Sequence, residues 1–383
     1  MTVCYWGTYD RDYPRNRILI QGLRANQVVV REMHAPLWGS TAEKVRRARG
    51  RWLGPGLVLR AAWAYLRLGA RFLASPRPDF LFVGYSGHFD VFPAWVLSRV
   101  RRVPLVFDAF LSLYDSLVLD RGALAPRGLK ARALAWVDRW SCRLADRVLL
   151  DTSAHREFFC RQFGVPPEKF WILPIGADDT VFTPAAEPPG NGHQPPTVLH
   201  FGRYIPLHGM ETVVRAAALL EESGEPCRFL LVGDGEERPR IEALAHELGL
   251  RSVEFVGSQS PEMLAETVRR SDLCLGIFGT TGKAARVVPN KVYEAMASGK
   301  PILTADSPAA REMLTDGVDC LLCESGNPQS LADAIRRARS DLELANRLGS
   351  NARRRFELCA APAVIGQTLA RNLQVLGGAH AAS

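Results

Sequence analysis

In residues 286–302, RVVPNKVYEAMASGKPI, a proline stands directly before a short amphipathic pattern, which Ser-Gly-Lys-Pro closes ahead of an apolar run. A helix that begins after Pro289 offers free backbone N–H groups at Asn290, Lys291 and Val292, aligned with the positive end of the helix dipole. That is a place for an anion. Glu294 lies one turn further in, and its carboxylate is a poor neighbour for phosphate but a good acceptor for sugar hydroxyls. Together these residues fit a nucleotide held by its diphosphate and its ribose.

Other stretches offer related chemistry. In FGRYIPLHGMETVVRAAALL (201–220), Gly202 permits close backbone approach and Arg203 can give a forked pair of hydrogen bonds to phosphate oxygen. His208 follows, just before a helix that starts near Gly209. Gly233-Asp234-Gly235 repeats the strand, glycine, helix design, a form shared by many such turns. The loop from Gly276 to Arg286 adds Lys283 and Arg286. In the first half, CYWGTYDRDYPRNRILIQGLRA (4–25) puts Gly7 at a strand end before a helix starting near Pro14 to Asn16. Asp108 ends the strand of PLVFDAFLSLYDS (104–116), where a carboxylate can take an acceptor proton or steady a developing cation, or else cap a helix. His88, in GYSGHFD, is the rival candidate. Asp10-Arg11-Asp12 has the D-x-D form of a metal site, yet the anion site already has cationic groups, so no metal is expected.

These residues need elements to hold them at strand ends. Apolar runs ending in turn residues alternate with helical periodicity, which predicts parallel sheets covered by helices. Six runs fall in the first half (2–6, 27–32, 79–84, 104–108, 147–151, 170–174) and six in the second (197–202, 228–233, 253–257, 272–277, 301–304, 320–323). The expected class is α/β, with two Rossmann-like doubly wound sheets facing a cleft. TPAAEPPGNGHQPP (183–196) supports neither strand nor helix and reads as a linker between domains 1–182 and 197–357. A helix over about 358–376 can pack back on the first domain.

The chain has 383 residues, 47% hydrophobic and 23% charged, which is a globular composition long enough for two cores. Its +8 charge is uneven: residues 1–180 hold 27 Lys and Arg against 16 Asp and Glu, and residues 181–383 hold 21 against 24. Eight scattered cysteines and an N-terminus, MTVCYWG, without a charged-then-apolar leader predict a reduced, cytoplasmic setting. Cys320 and Cys323 form a lone C-x-x-C inside an alternating apolar run, read as strand packing. No run is long enough to span a membrane. Residues 41–75, however, carry Lys44, Arg46, Arg47, Arg49, Arg51, Arg60, Arg67 and Arg71 against Glu43, interleaved with Trp52, Trp63 and Tyr65. That pattern suits an anionic membrane surface, with a solvated arginine face as the plain alternative. Nucleic acid is not expected, since no RNA-binding signature accompanies the charge.

The order of GR, loop, Gly and helix, then VGDG, FVG, SD, NKVYEAMASGKPI and DGVDCLLCESGNPQSLADAI, resembles the nucleotide-sugar-binding half of the family 4 glycosyltransferases, retaining enzymes of the GT-B fold. The resemblance is strong over residues 197–340 and softer earlier, where ILPIGADDTVF (172–182) is similar to the segment leading into the family's linker. It implies transfer of a sugar from a nucleoside diphosphate donor to an acceptor hydroxyl. The basic, aromatic segment 41–75 suits a lipid-linked or surface glycan intermediate as acceptor, at the inner face of the cell membrane. A nucleotide-sugar epimerase of the same fold and a non-catalytic nucleotide-sugar binder are the alternatives. No cofactor is implied besides the donor itself.

By that resemblance Arg203 neutralises the donor diphosphate and Glu294 binds ribose. Two positions depart from it. His208 stands where the family has a lysine, and Arg286 where it has the first glutamate of a spaced acidic pair that contacts the donor sugar. Lys283 and Arg286 are therefore expected to supply the missing positive charge, and Arg286 alternatively suits a donor sugar bearing a carboxylate. Gly7, Gly202, Arg203, His208, Lys283, Asn290 and Lys291 form the expected diphosphate set, Arg286 and Glu294 the sugar and ribose set, and Asp108 and His88 the catalytic candidates.

Overall fold

Short runs of Val, Leu, Ile and Phe become strands because both faces of a parallel sheet are covered by helices, so alternation is not required of them. The computed structural model describes residues 1–37, 55–185 and 195–381. Two compact units result, one of residues 1–174 with the segment from 362 onward, the other of residues 175–361.

The first unit runs β1 (Thr2–Gly7), α1 (Pro14–Ala25), β2 (Val29–His34), α2 (Pro55–Ala74), β3 (Phe80–Val83), α3 (Val91–Arg101), β4 (Leu105–Asp108), a π-helical turn at Asp115–Asp120, α4 (Leu129–Leu144), β5 (Arg147–Leu150), α5 (Ser153–Phe163) and β6 (Phe170–Ile172). Its sheet is parallel throughout, in the order β2-β1-β3-β4-β5-β6. β2 starts two residues later than its apolar run suggests. Gln27 takes φ 60° and its N–H closes onto Arg24 O at 3.1 Å, so the end of α1 consumes the residues before Val29.

The second unit runs β7 (Thr197–Phe201), α6 (Met210–Glu222), β8 (Arg228–Val232), α7 (Arg238–Glu247), β9 (Val253–Val256), α8 (Pro261–Arg270), β10 (Leu273–Leu275), α9 (Asn290–Ala297), β11 (Ile302–Ala305), α10 (Pro308–Met313), β12 (Leu321–Cys323), α11 (Pro328–Ser340) and α12 (Leu342–Cys359). Its sheet is also parallel, ordered β12-β11-β10-β7-β8-β9. Strand order reverses between β7 and β10, and ligands of such sheets bind outside the carboxyl ends at that switch.

Burial holds each unit together. Phe229, Leu231, Val213, Leu220, Ile335 and Leu348 are fully buried in the second core, each contributing about 1.5–3 kcal/mol of transfer free energy. The last helix, α13 (Pro362–Ala381), sends Ile365, Leu369 and Leu373 into a cluster with Ile18, Leu19 and Leu23 of α1. Gly22 and Gly366 allow this: a β carbon on either would strike the other helix's backbone.

The units divide after Pro174, earlier than the boundary expected at 182. Ile175, Ala177 and Phe182 are buried, and Phe182 N–H closes a turn onto Asp178 O at 2.9 Å. Within the expected linker, residues 186–194 lie outside the described residues. Cys320 and Cys323 are buried thiols at the start and end of the β12 run. Among the described residues, no helix is long and apolar enough to cross a membrane.

Candidate functional site

The carboxyl ends of β7 and β10 are locked together by backbone. Gly202 follows β7 at φ 122° and donates its N–H to Val232 O at 2.9 Å, while Tyr204 N–H reaches Asp234 O at 3.0 Å. A short 3-10 turn, Pro206–His208, leads to Gly209 at φ 64°, the residue before α6. Gly209 lies against the backbone of Phe278 and Gly279, and Phe278 N–H donates to His208 O at 3.0 Å. The loops after both switch-point strands are thus one rigid piece.

Beneath Gly202 three nitrogen bases meet. Lys291 Nζ lies 2.5 Å from His200 Nε2 and 3.3 Å from His208 Nδ1. All three side chains are buried, yet Gly202 itself is exposed, and a β carbon there would sit 3.4 Å from Lys291 Cε and 3.5 Å from its Nζ. Burial holds the Lys291 ammonium well below the usual lysine range, with Glu294 offsetting part of it. Burial, then the charges of Lys291 and His208, push His200 far down as well. Glu294 is the fifth residue of α9; burial raises its carboxyl to about 7, against the pull of Lys291. Arg203 is exposed and makes no hydrogen bond or ion pair with other described residues.

The structure therefore brings Gly202, His208 and Lys291 into contact, with Glu294 one turn along the same helix. At the start of α9, Val292 N–H is not free as expected: it turns back to Pro289 O at 3.0 Å, leaving Asn290 and Lys291 to offer theirs. Pro289 caps without a side-chain acceptor. Lys283 is buried and Arg286 half-buried around a 3-10 turn at Ala284–Arg286 that packs on α10, with Arg286 Nη1 against Gly282.

Unit one holds three of the expected residues in internal contacts. The space left by Gly7 is filled by the Asp90 carboxylate, which accepts from Thr8 N–H at 2.6 Å, Thr8 Oγ1 at 2.8 Å and Tyr65 Oη at 2.7 Å. A diphosphate at Gly7 would meet that buried anion. Asp108, expected as a base, has no exposed surface: Arg15 Nε donates to its two oxygens at 3.1 and 3.0 Å, and Arg15 is itself fully buried. Burial pushes the Asp108 carboxyl up while Arg15 pulls it back. His88 is buried too, 3.5 Å from Asp138 Oδ1 and edge-on to Phe107. Asp138 in turn accepts from Ser112 Oγ at 2.7 Å and Tyr114 N–H at 2.9 Å, and burial raises it to about 7. Both candidates thus take part in buried polar contacts at the carboxyl end of β4.

Sequence reasoning missed His200, Arg15, Asp90 and Asp138. A histidine at the carboxyl end of the otherwise apolar TVLHF strand was the available signal for the first. For the acids the signal was weaker, since each stands in a helix or turn where a surface or capping role is the ordinary reading.

Residues 183–355 match the family model for Glycosyl transferases group 1, and residues 16–176 match that for the Glycosyl transferase 4-like domain. An alpha-D-kanosaminyltransferase of Streptomyces kanamyceticus is 26% identical over 280 residues, 70% of this chain and 69% of that protein. A D-inositol 3-phosphate glycosyltransferase of Nocardia farcinica is 32% identical over 272 residues, 67% of this chain; the match spans only 58% of that relative's length. Among solved structures, sucrose-phosphate synthase from Thermosynechococcus elongatus superposes with a TM-score of 0.75 at 18% identity, covering 99% of this chain and 100% of that one. Anabaena HepE, solved in complex with UDP and glucose, gives 0.70 at 19% identity, covering 98% and 100%.

Proposed function

The chain belongs to the group 1 glycosyl transferases, family 4 type, with the GT-B fold, and from that premise we propose that it moves a sugar, with retention, from a nucleoside diphosphate donor to the hydroxyl of a lipid-linked acceptor. One observation carries the donor half: a buried lysine lies under Gly202 at the switch point of the second sheet, with the exposed Arg203 next in the chain and Glu294 further along the lysine's own helix. The cations suit a diphosphate and the carboxylate suits ribose hydroxyls. The UDP bound by HepE supports the same class of donor.

In this reading Arg203 and Lys291 hold the diphosphate and stabilise the charge that grows on it as the glycosidic bond lengthens. The leaving phosphate oxygen takes the acceptor proton on the same face, which gives retention without a covalent sugar–enzyme intermediate. Charge neutralisation comes from side chains, so we propose no metal requirement. Calorimetry against UDP-, GDP-, ADP- and dTDP-sugars is expected to find one binder. The product's anomeric proton coupling reports retention, and activity persists in a chelator. Inversion, or loss on chelation, would reject the corresponding step. Donor consumed without acceptor would identify an epimerase or hydrolase, and donor bound but never consumed a binding protein.

The acceptor half rests on the first unit. α2 packs on α3 and α3 on α4, and Phe92 stacks on Trp136 with ring centroids 5.5 Å apart. These three helices hold nine Lys and Arg against one acid, the buried Asp138. While Leu68 and Phe72 of α2 face the core, Leu59, Trp63 and Leu66 form a second apolar stripe, 71%, 67% and 65% exposed. A basic helix with a bare apolar stripe fits an anionic bilayer from the cytoplasmic side, each cation near the surface adding about 1 kcal/mol. Of the basic run expected to do this, Lys44 to Arg51 and Trp52 lie outside the described residues. Cosedimentation with vesicles rich in phosphatidylglycerol is expected, and loss of it on replacing Leu59, Trp63 and Leu66 together by serine, with melting unchanged. Equal binding by that variant would remove this surface from the proposal.

A further inference from the structure

Lys291, His200 and His208 come from α9, β7 and the turn after β7, and each is less than a tenth exposed. Two nitrogens 2.5 Å apart require a hydrogen on one and a lone pair on the other, so Lys291 and His200 cannot both be fully protonated. Among the described residues no carboxylate lies within ion-pair distance of Lys291. Among the described residues His200 Nδ1 is buried without a hydrogen-bond partner, and the ring's hydrogen-bond contact is the one to lysine.

We infer that Lys291 is the principal cation of the donor notch, that His200 is its positioning residue, and that a nucleoside diphosphate ester enters with uptake of a proton onto Lys291. This rests on the donor-site reading above and adds which group carries the charge, and when.

The resemblance places a lysine at position 208, on the turn before α6. Here that position is an imidazole, and the lysine is rooted in the first turn of α9 instead. Its nitrogen sits directly under Gly202, the exposed residue whose missing side chain leaves the ammonium within reach of a ligand. With no ligand anion present, charge on a buried lysine between two bases has only Glu294 to offset part of its desolvation, and the neutral amine is favoured. An arriving diphosphate supplies the counter-ion. A new N–H bond then forms at Nζ, the proton leaves a buffer acid, and the conjugate base remains in solution. His200 Nε2 accepts one ammonium hydrogen and His208 Nδ1 faces another, which aims the third at the ligand.

The groups facing Lys291 are His200 from β7, His208 from the following turn and Glu294 from its own helix. Glu294 acts in the opposite sense. Burial raises it to about 7, so hydroxyl binding would discharge a proton below that value. Measurement at about pH 8 removes this contribution, because the carboxyl is already ionised there.

The test is calorimetry with the tightest binder among UDP-, GDP-, ADP- and dTDP-glucose, at about pH 8, in HEPES and in Tris, whose protonation heats differ. The expected result is a buffer-dependent enthalpy that reports proton uptake, with Kd weakening up to about tenfold per pH unit above that point. Lys291→Met abolishes the buffer dependence and weakens binding about ten- to a hundredfold. His200→Leu weakens binding about tenfold while keeping the uptake, and His200→Gln, whose amide oxygen can accept from the ammonium, recovers most of the loss; a merely structural histidine would show no such split. Binding with buffer-independent heat, or Lys291→Met binding like the parent, overturns the inference and leaves the donor reading standing. No heat from any of the four overturns both.

Discussion

Replacing Glu294 by glutamine is expected to lower kcat/KM for the sugar nucleotide about ten- to a hundredfold with the fold intact. The carboxylate makes no hydrogen bond within the described protein, so its removal breaks no hydrogen bond in the free state. A charged acceptor facing two ribose hydroxyls is worth about 1.5–3 kcal/mol, and glutamine keeps one oxygen and the shape but loses the charge. The pH profile sharpens the test. Because burial raises Glu294 to about 7, its anion exists only above that value and is lost as pH falls through it. The parent's kcat/KM should therefore decline on the acid side of about 7, and the glutamine variant should lack that limb. An unchanged acid limb in Glu294→Gln would assign the ribose contact elsewhere. Lys291 shapes the other side of the curve, weakening donor binding as pH rises, so the two groups bracket a working range from opposite directions.

The layout of the sheets was legible because a parallel strand is a short continuous apolar run, and runs such as TVLHF and RFLLV have few other uses. Their ends were less so: β2 shifted because α1 needed Asn26 and Gln27 to finish, a tertiary demand that no run of valines records. The split after Pro174 was hidden for a similar reason, since proline content marks where chain cannot be regular, not which core claims Ile175 and Phe182. Of the proposed site, Gly202, Lys291 and Glu294 were singled out by turn and helix chemistry. The base cluster was not, because His200 and Lys291 are 91 residues apart and meet only through the pairing of β7 with β10. The ion pair of Asp108 was hidden for the same reason. A carboxylate at a strand end looks catalytic until its partner is known, and Arg15 is 93 residues upstream.

Arg15→Met is expected to destabilise the protein by about 3–5 kcal/mol, the cost of stranding a buried carboxylate. Arg15 Nε engages both Asp108 oxygens, Nη1 donates to Leu173 O at 3.0 Å and Pro174 O at 3.2 Å, and the guanidinium lies 5.1 Å from the Phe110 ring centre. One side chain thus ties α1 to β4 and to the chain leaving β6. The double variant Arg15→Met with Asp108→Leu removes both charges and should recover much of the loss. Recovery stays incomplete, because two carbonyls are left without their donor at about 1 kcal/mol each. Urea unfolding of the two single variants and the double gives the coupling directly. A structural pair predicts that Asp108→Asn lowers the unfolding midpoint. If Asp108→Asn instead abolished transfer at an unchanged midpoint, Asp108 would return as the base, and the proton would no longer have to travel to the leaving phosphate.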